Sequence, residues 1–184
     1  VIVTRNEEGH PVGAFYGYEV IGIFQNAEDV AKSPKQQGDE SPGVFKYKDQ
    51  NADGVIDDKD RTYIGNPNPD FTYGLNLSFS YKSFDFSSFF FGSHGNDIFN
   101  QTKYFTDFPD FFKGGIRREV AVNSWTPDNP NTSIPKLRTT GGFSTDGVTN
   151  SYFISKGSYL RCKQMQIGYT MPPKSTAKFG IDRL

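Results

Sequence analysis

From Phe71 to Tyr81 the chain alternates without a break: Phe71, Tyr73, Leu75, Leu77, Phe79 and Tyr81 hold the odd positions, and Thr72, Gly74, Asn76, Ser78 and Ser80 the even ones. A period of two is that of a β-strand with one apolar and one polar face. Lys82-Ser83 reads as a two-residue turn, and FDFSSFFFG as the return strand. With that turn Tyr81 falls opposite Phe84, Phe79 opposite Phe86, Leu77 opposite Ser88 and Leu75 opposite Phe90, so the apolar face continues across the hairpin. A further strand is expected over Ser158 to Thr170, with Met165, Ile167 and Tyr169 on one face and Gln164, Gln166, Gly168 and Thr170 on the other, ended by Pro172-Pro173. Upstream, Ala14 to Phe24 is strand-rich, and a short helix over Asn26 to Lys32 is stopped by Ser33-Pro34.

Between the second and third long strands, residues 93–156 are rich in Asn, Asp, Gly, Pro and Thr and carry no sustained period. A loop of that length is uncommon in a compact domain and tends to be functional. If the strands run down, up and down again, the short turn lies at one end and the long connections at the other. Outer-membrane barrels show that asymmetry. An eleven-residue strand also matches the span of a transmembrane strand, and its aromatics at both ends flank a Leu75/Leu77 centre as two girdles flank a lipid band. A sandwich in water explains the same alternation as core against solvent. Periodicity alone leaves both open.

Composition narrows the partners. Leu occurs five times and Ala six, while 16% of the 184 residues are aromatic, which favours strands over helices. Net charge is −1 with both signs scattered, so nothing resembles a footprint for phosphate backbones and nucleic acid is not an expected partner. The lone Cys162 excludes an internal disulfide framework or a multi-Cys zinc site. There is no run long enough for a membrane helix and no basic start followed by an apolar stretch, and the chain reads as a piece of a longer one.

Residues 49–60, DQNADGVIDDKD, carry a candidate cation loop within a longer connection. Asp49, Asn51 and Asp53 stand at positions 1, 3 and 5 of a twelve-residue EF-hand-like calcium loop, with Gly54 at the sharp turn, the Val55 carbonyl at 7, Asp57 at 9 and Asp60 at 12. Alternate spacing lets a turning backbone aim successive oxygens at one hard cation. Asp replaces the bidentate Glu at the last position, so affinity in the range of about 10⁻⁴–10⁻³ M is expected, and the ion would be structural. The same residues would also serve as an Asx-rich surface turn.

No enzymatic constellation stands out. Neither His10 nor His94 sits beside a nucleophile, Cys162 lies mid-strand, and no pair of carboxylates is singled out. Trp125 and Tyr104, with Phe105, Phe108, Phe111 and Phe112 nearby, could offer flat faces to a sugar or peptide, or simply pin the long loop to its scaffold.

In family order, the stretches GYEVIGIFQ (17–25), FKYKDQNADGVIDDKDR (45–61), IGNPNPDFTYGL (64–75), WTPDN (125–129), and GSYLR followed by IGYT (within 157–170) resemble the C-terminal barrel portion of the SusC/RagA family of TonB-dependent outer-membrane transporters from Bacteroidetes. The resemblance favours the membrane reading over the sandwich. It implies an all-β region of antiparallel strands and long extracellular loops, part of a large transmembrane β-barrel of about twenty-two strands with a filled lumen. The plug domain, signal sequence and final strands would lie outside residues 1–184. It further implies nutrient import, with oligosaccharide or peptide cargo, a SusD-like surface lipoprotein as lid, energy from the TonB complex through the absent N-terminal region, lipid around the strands, and calcium in the D-x-N-x-D-G loop. Strands cut from a barrel leave unpaired edges, so the isolated piece is expected to unfold, aggregate or pair with itself. The competing class is a secreted, calcium-stabilised β-sandwich binding module of a carbohydrate-active protein, which would need a second sheet over Phe71, Leu75 and Phe79.

Overall fold

A computed structural model describes residues 3–109 and 115–172. Along the chain run β1 (Phe15–Tyr18), β2 (Val20–Ile23), α1 (Ala27–Lys32), β3 (Lys35–Gln36), β4 (Phe45–Tyr47), β5 (Val55–Ile56) and β6 (Arg61–Gly65). There follow β7 (Phe71–Tyr81), β8 (Phe84–His94), β9 (Asp97–Phe99), α2 (Thr102–Thr106), α3 (Arg118–Asn123), β10 (Ile154–Lys156) and β11 (Tyr159–Tyr169). They divide into two compact units: Val1–Asn68 with Asp97–Lys156, and Pro69–Asn96 with Gly157–Leu184.

The second unit is a three-stranded antiparallel sheet in the order β11-β8-β7. Strand β7 has the expected bounds, and Tyr81↔Phe84, Phe79↔Phe86, Leu77↔Ser88 and Leu75↔Phe90 pair as the two-residue turn requires. Lys82 takes the left-handed conformation (φ 55°) that so tight a turn demands. The return strand runs on to His94, two residues past the expected Gly92. Strand β11 is Tyr159–Tyr169, inside the expected bounds. Pro172 follows it, and Pro173 lies outside the described residues.

The first unit is built from short pieces around one aromatic core: Tyr18, Ile23, Phe45, Tyr47, Ile56, Phe108, Trp125 and Phe153 are all buried. The stretch Ala14 to Phe24 is two strands, because the chain changes partner at Glu19: β1 pairs with β6 and β2 with β4. Gly17 marks the reason. The Thr149 carbonyl packs where its Cβ would be, and Tyr18 N–H donates to that same oxygen at 2.9 Å. Helix α1 forms as read, with the Asn26 side chain accepting from Asp29 N–H at 2.9 Å.

One part of the fold expectation is corrected: among the described residues the region is mostly β, with three short α-helices, and β3 and β5 pair in parallel. The described strands do not close a barrel, since no sheet among them has more than three. Residues 93–156 carry β9, α2, α3 and β10 and contribute Phe108, Trp125 and Phe153 to the core of the first unit. Their elements are too short to leave a period in the sequence.

Candidate functional site

The sheet of the second unit has two chemically distinct faces. On one lie Phe71, Tyr73, Leu75, Leu77, Phe79 and Tyr81 of β7 beside Phe84, Phe86 and Phe90 of β8. Strand β11 joins this face through Leu160, Cys162, Met165, Ile167 and Tyr169, which oppose even-numbered residues of β8. Strict alternation would turn Leu160 and Cys162 to the other side. A β-bulge prevents it: Cys162 opposes Phe90 and Gln164 opposes Phe89, so Lys163 is surplus and the parity shifts by one. The apolar face is uncovered, with Phe71 55%, Leu75 52%, Phe79 63% and Ile167 73% exposed. Among the described residues no second sheet lies over the three residues that the sandwich alternative requires to be covered.

Rings gather at both ends of this face. Phe84 and Tyr169 lie 4.7 Å apart and Phe79 and Phe86 5.1 Å apart near the tight turn, and Phe71 packs 5.2 Å from His94 at the far end. Eleven residues at about 3.3 Å each, tilted by about 45°, cover roughly the 25 Å apolar band of an outer-membrane barrel. Among the described residues no helix is long and apolar enough to cross a membrane, which leaves strands as the crossing elements if the chain crosses one.

The opposite face presents Thr72, Asn76, Ser78, Ser80, Asp85, Ser87, Gln164 and Gln166, together with Phe89, Phe91, Tyr159 and Arg161. Sequence reading missed this second aromatic set. The signal was the unbroken Phe89-Phe90-Phe91 run, which must send rings to both sides of any strand.

In the acidic loop the backbone turns as the spacing demands, with Ala52 at φ 59° and Gly54 at φ 85°. Gly54 N–H donates to Asp49 Oδ2 at 2.8 Å, Asp53 N–H to Asn51 Oδ1 at 3.0 Å, and Val55 N–H to Asp53 Oδ1 at 3.0 Å. The Val55 N–H and the Asn51 amide hold the Asp53 carboxyl below its ordinary value. Ile56 is fully buried and anchors the loop through β5. Asp57 and Asp60 cap a 3₁₀ turn reciprocally, and the buried Asp60 accepts from Gln50 N–H and Asp57 N–H, each at 2.8 Å. The second Asp49 oxygen, Oδ1, is buried without a hydrogen-bond partner. Among the described residues no three Asp, Glu, His or Cys side chains are gathered into a metal-holding group, so an ion here would draw on the Asn51 amide and Val55 carbonyl as well.

The loop aromatics divide. Trp125 is buried in the core of the first unit, and its Nε1–H donates to Gln25 Oε1 at 3.0 Å, the arrangement of a pinning residue. Tyr104, half-buried on α2, lines a cleft of about 390 Å³ with Phe99, Phe105, Val148 and Phe153. Phe111 and Phe112 lie outside the described residues. Cys162 is exposed on the apolar face.

No family model matches the chain. Individual relatives do. The chain is 35% identical over 176 residues to TonB-dependent receptor P3 of Formosa agariphila, which takes in 95% of this chain and 16% of that protein. The chain is homologous to part of the SusC/RagA-family TonB-dependent receptors. TonB-dependent receptor P26 of the same organism is also 35% identical, over 97% of this chain and 17% of its own length. TonB-dependent receptor SusC of Bacteroides thetaiotaomicron is 24% identical over 91% of this chain and 14% of its own. The solved structure of the RagAB peptide transporter superimposes with a TM-score of 0.68 at 24% identity, over 95% of this chain and 18% of that one, which supports the fold. The chain thus spans less than a fifth of the length of these three receptors. These relatives are receptors and not enzymes, and TonB-dependent receptors reside in the bacterial outer membrane, the localisation that the family resemblance implied.

Proposed function

We propose that this chain supplies part of the barrel wall and extracellular loops of a SusC/RagA-type importer, which takes up oligosaccharides or peptides under a SusD-like surface lipoprotein with energy relayed by TonB. The observation that carries the reading is the sheet itself: one uncovered apolar face and one polar face on strands long enough to span an outer membrane. Lipid would lie against Leu75, Leu77 and Ile167, and the polar face would line the import path. Nitroxide labels test this in the full-length receptor carrying Cys162→Ser. A label at Leu77→Cys is expected to be relaxed by oxygen and shielded from a water-soluble nickel chelate, and one at Ser78→Cys to behave the opposite way. Labels screened from both reagents would mean a covered sheet and would return the binding-module alternative.

The same reading includes a structural calcium ion around which Asp49, Asn51, Asp53, the Val55 carbonyl, Asp57 and Asp60 would have to draw together, since their carboxylates are not gathered without it. The orphaned Asp49 Oδ1 supports it: a buried carboxylate oxygen without a donor is costly unless a cation completes it. The hydrogen bonds already made do not compete, since each carboxylate oxygen has a second lone pair. Bound there, the ion would fix the loop that presents Ile56 to the core. Calorimetric titration of the full-length receptor with calcium is expected to show binding that Asp49→Ala and Asp53→Ala abolish. Equal heats in parent and variants would remove the metal.

A further inference from the structure

On the polar face of the sheet, the edge of the Phe89 ring packs over Gly74 on the neighbouring strand, where a Cβ would come within 3.3 Å of it. Beside it a depression of about 260 Å³ is lined by Phe89, Asn76, Ser78, Ser87 and Gln164, with Leu77 and Ser88 also contributing to its wall. Two cations stand towards the far end of the same face. The bulge turns Lys163 onto this side, with its Nζ 4.8 Å from the centroid of the Phe91 ring. Arg161 lies 5.5 Å from the Tyr159 ring. In each case the charged head itself lies over the ring, and among the described residues neither cation has an ion-pair partner. Among the described residues two carboxylates border this face, Asp85 at the tight-turn end, packed over Gly168, and Asp70 at the other end, packed over Gly95, and neither is ion-paired with Arg161 or Lys163.

We propose that this patch is a subsite for one unit of an acidic oligosaccharide. The Phe89 ring stacks on the sugar, Asn76, Ser78, Ser87 and Gln164 bond its hydroxyls, and Arg161 and Lys163 take its carboxylate or sulfate group. A neutral sugar would use the ring and the amides but leave both cations without a partner. An acidic peptide would use the cations and have no need of a flat ring beside a hydroxyl-matching hollow. The proposal rests on the reading that the polar face lines the import path.

The experiment measures binding to the full-length receptor in detergent micelles by calorimetry. Three probes are used: a galacturonate oligosaccharide, a sulfated galactan oligosaccharide and a maltooligosaccharide of equal length. At least one acidic probe is expected to bind about tenfold more tightly than the neutral one, and Arg161→Gln with Lys163→Gln to erase that preference. Gly74→Val, which crowds the ring, is expected to weaken the acidic probe while a salt-dependent remainder survives. Equal binding of all three probes, or a preference that survives loss of both cations, overturns the subsite. So does an oligoglutamate peptide that binds as tightly as the acidic sugars with the same dependence on Arg161 and Lys163. A water-soluble maleimide applied to Ser78→Cys in the Cys162→Ser receptor separates the two levels. Ready labelling with no acidic preference defeats the subsite alone, and protection of Ser78→Cys with labelling of Leu77→Cys defeats the import-path reading beneath it.

Discussion

Leu77→Arg in the full-length receptor is expected to cost about 2–4 kcal/mol of folding stability in bilayers, while Ser78→Arg, one residue along the same strand, stays within about 0.5 kcal/mol. Leu77 sits near the middle of β7, on a rung with Ser88 and Met165, and is 46% exposed to whatever surrounds the apolar face. A guanidinium there would have to leave water for hydrocarbon, with long snorkelling its only relief from the midplane. At Ser78 the same group projects from the polar face. Because the two sites share a strand, β-propensity and strand-edge effects cancel in the comparison. Urea unfolding of the receptor in liposomes, read by the mobility shift of folded against unfolded protein, measures both. Equal costs at the two sites would mean that the faces do not meet different solvents.

The second large effect belongs to the first unit. Asp107, with its side chain 1% exposed, is gripped by Arg117 through a fork: Nε to Oδ1 and Nη2 to Oδ2, both at 2.7 Å. Tyr152 O–H adds a third bond at 2.7 Å and Thr106 a fourth at 2.8 Å. Burial by itself would raise the Asp107 carboxyl; the bonds from Arg117, Tyr152 and Thr106 outweigh it and hold the group below the ordinary carboxylate range. Arg117→Leu removes two of the four bonds and leaves a buried charge under-compensated, for which about 3 kcal/mol of lost stability is expected. The acid limb gives an independent check. A depressed carboxyl contributes stability that is complete above its unfolded value and lost as pH falls through the folded one. In Arg117→Leu burial gains on the remaining bonds, so the folded value rises and the loss begins at higher pH. Hydrogen exchange of the full-length receptor between pH 3 and 7, resolved by mass spectrometry on the peptides that carry Asp107, Arg117 and Tyr152, reads both effects. A variant with unchanged protection and acid limb would show that the fork is replaced by water without cost.

The hairpin and its register were legible because every constraint on them is local: unbroken alternation fixes parity, and an even-length turn preserves it. The turn of the acidic loop at Gly54 was legible for the same reason, its signal lying within twelve residues. The first unit was not. Its core joins Tyr18, Phe45, Trp125 and Phe153 across more than a hundred residues, and its strands, two to five residues long, are placed by partners and not by their own pattern. The Asp107–Arg117–Tyr152 cluster follows the same rule, since each member alone is an ordinary loop residue. Trp125 could be read from the sequence as a platform or as a pin, and the contacts that decide for the pin, the aromatic core and the hydrogen bond to Gln25 a hundred residues away, are not local. The bulge at Lys163 was hidden too, because the alternation on either side of it is regular and only the partner strand reveals the slip.

That slip works as a phase corrector. A polymer with a two-residue repeat ordinarily cannot absorb an odd insertion, since everything beyond it would be turned inside out. By taking the surplus residue out of the ladder, β11 keeps Leu160 and Tyr169 in step although they lie an odd number of positions apart. Length variation of a single codon within such a wall segment is thereby uncoupled from inversion, and a comparison of wall strands that counts residues without counting rungs will assign half a strand to the wrong solvent.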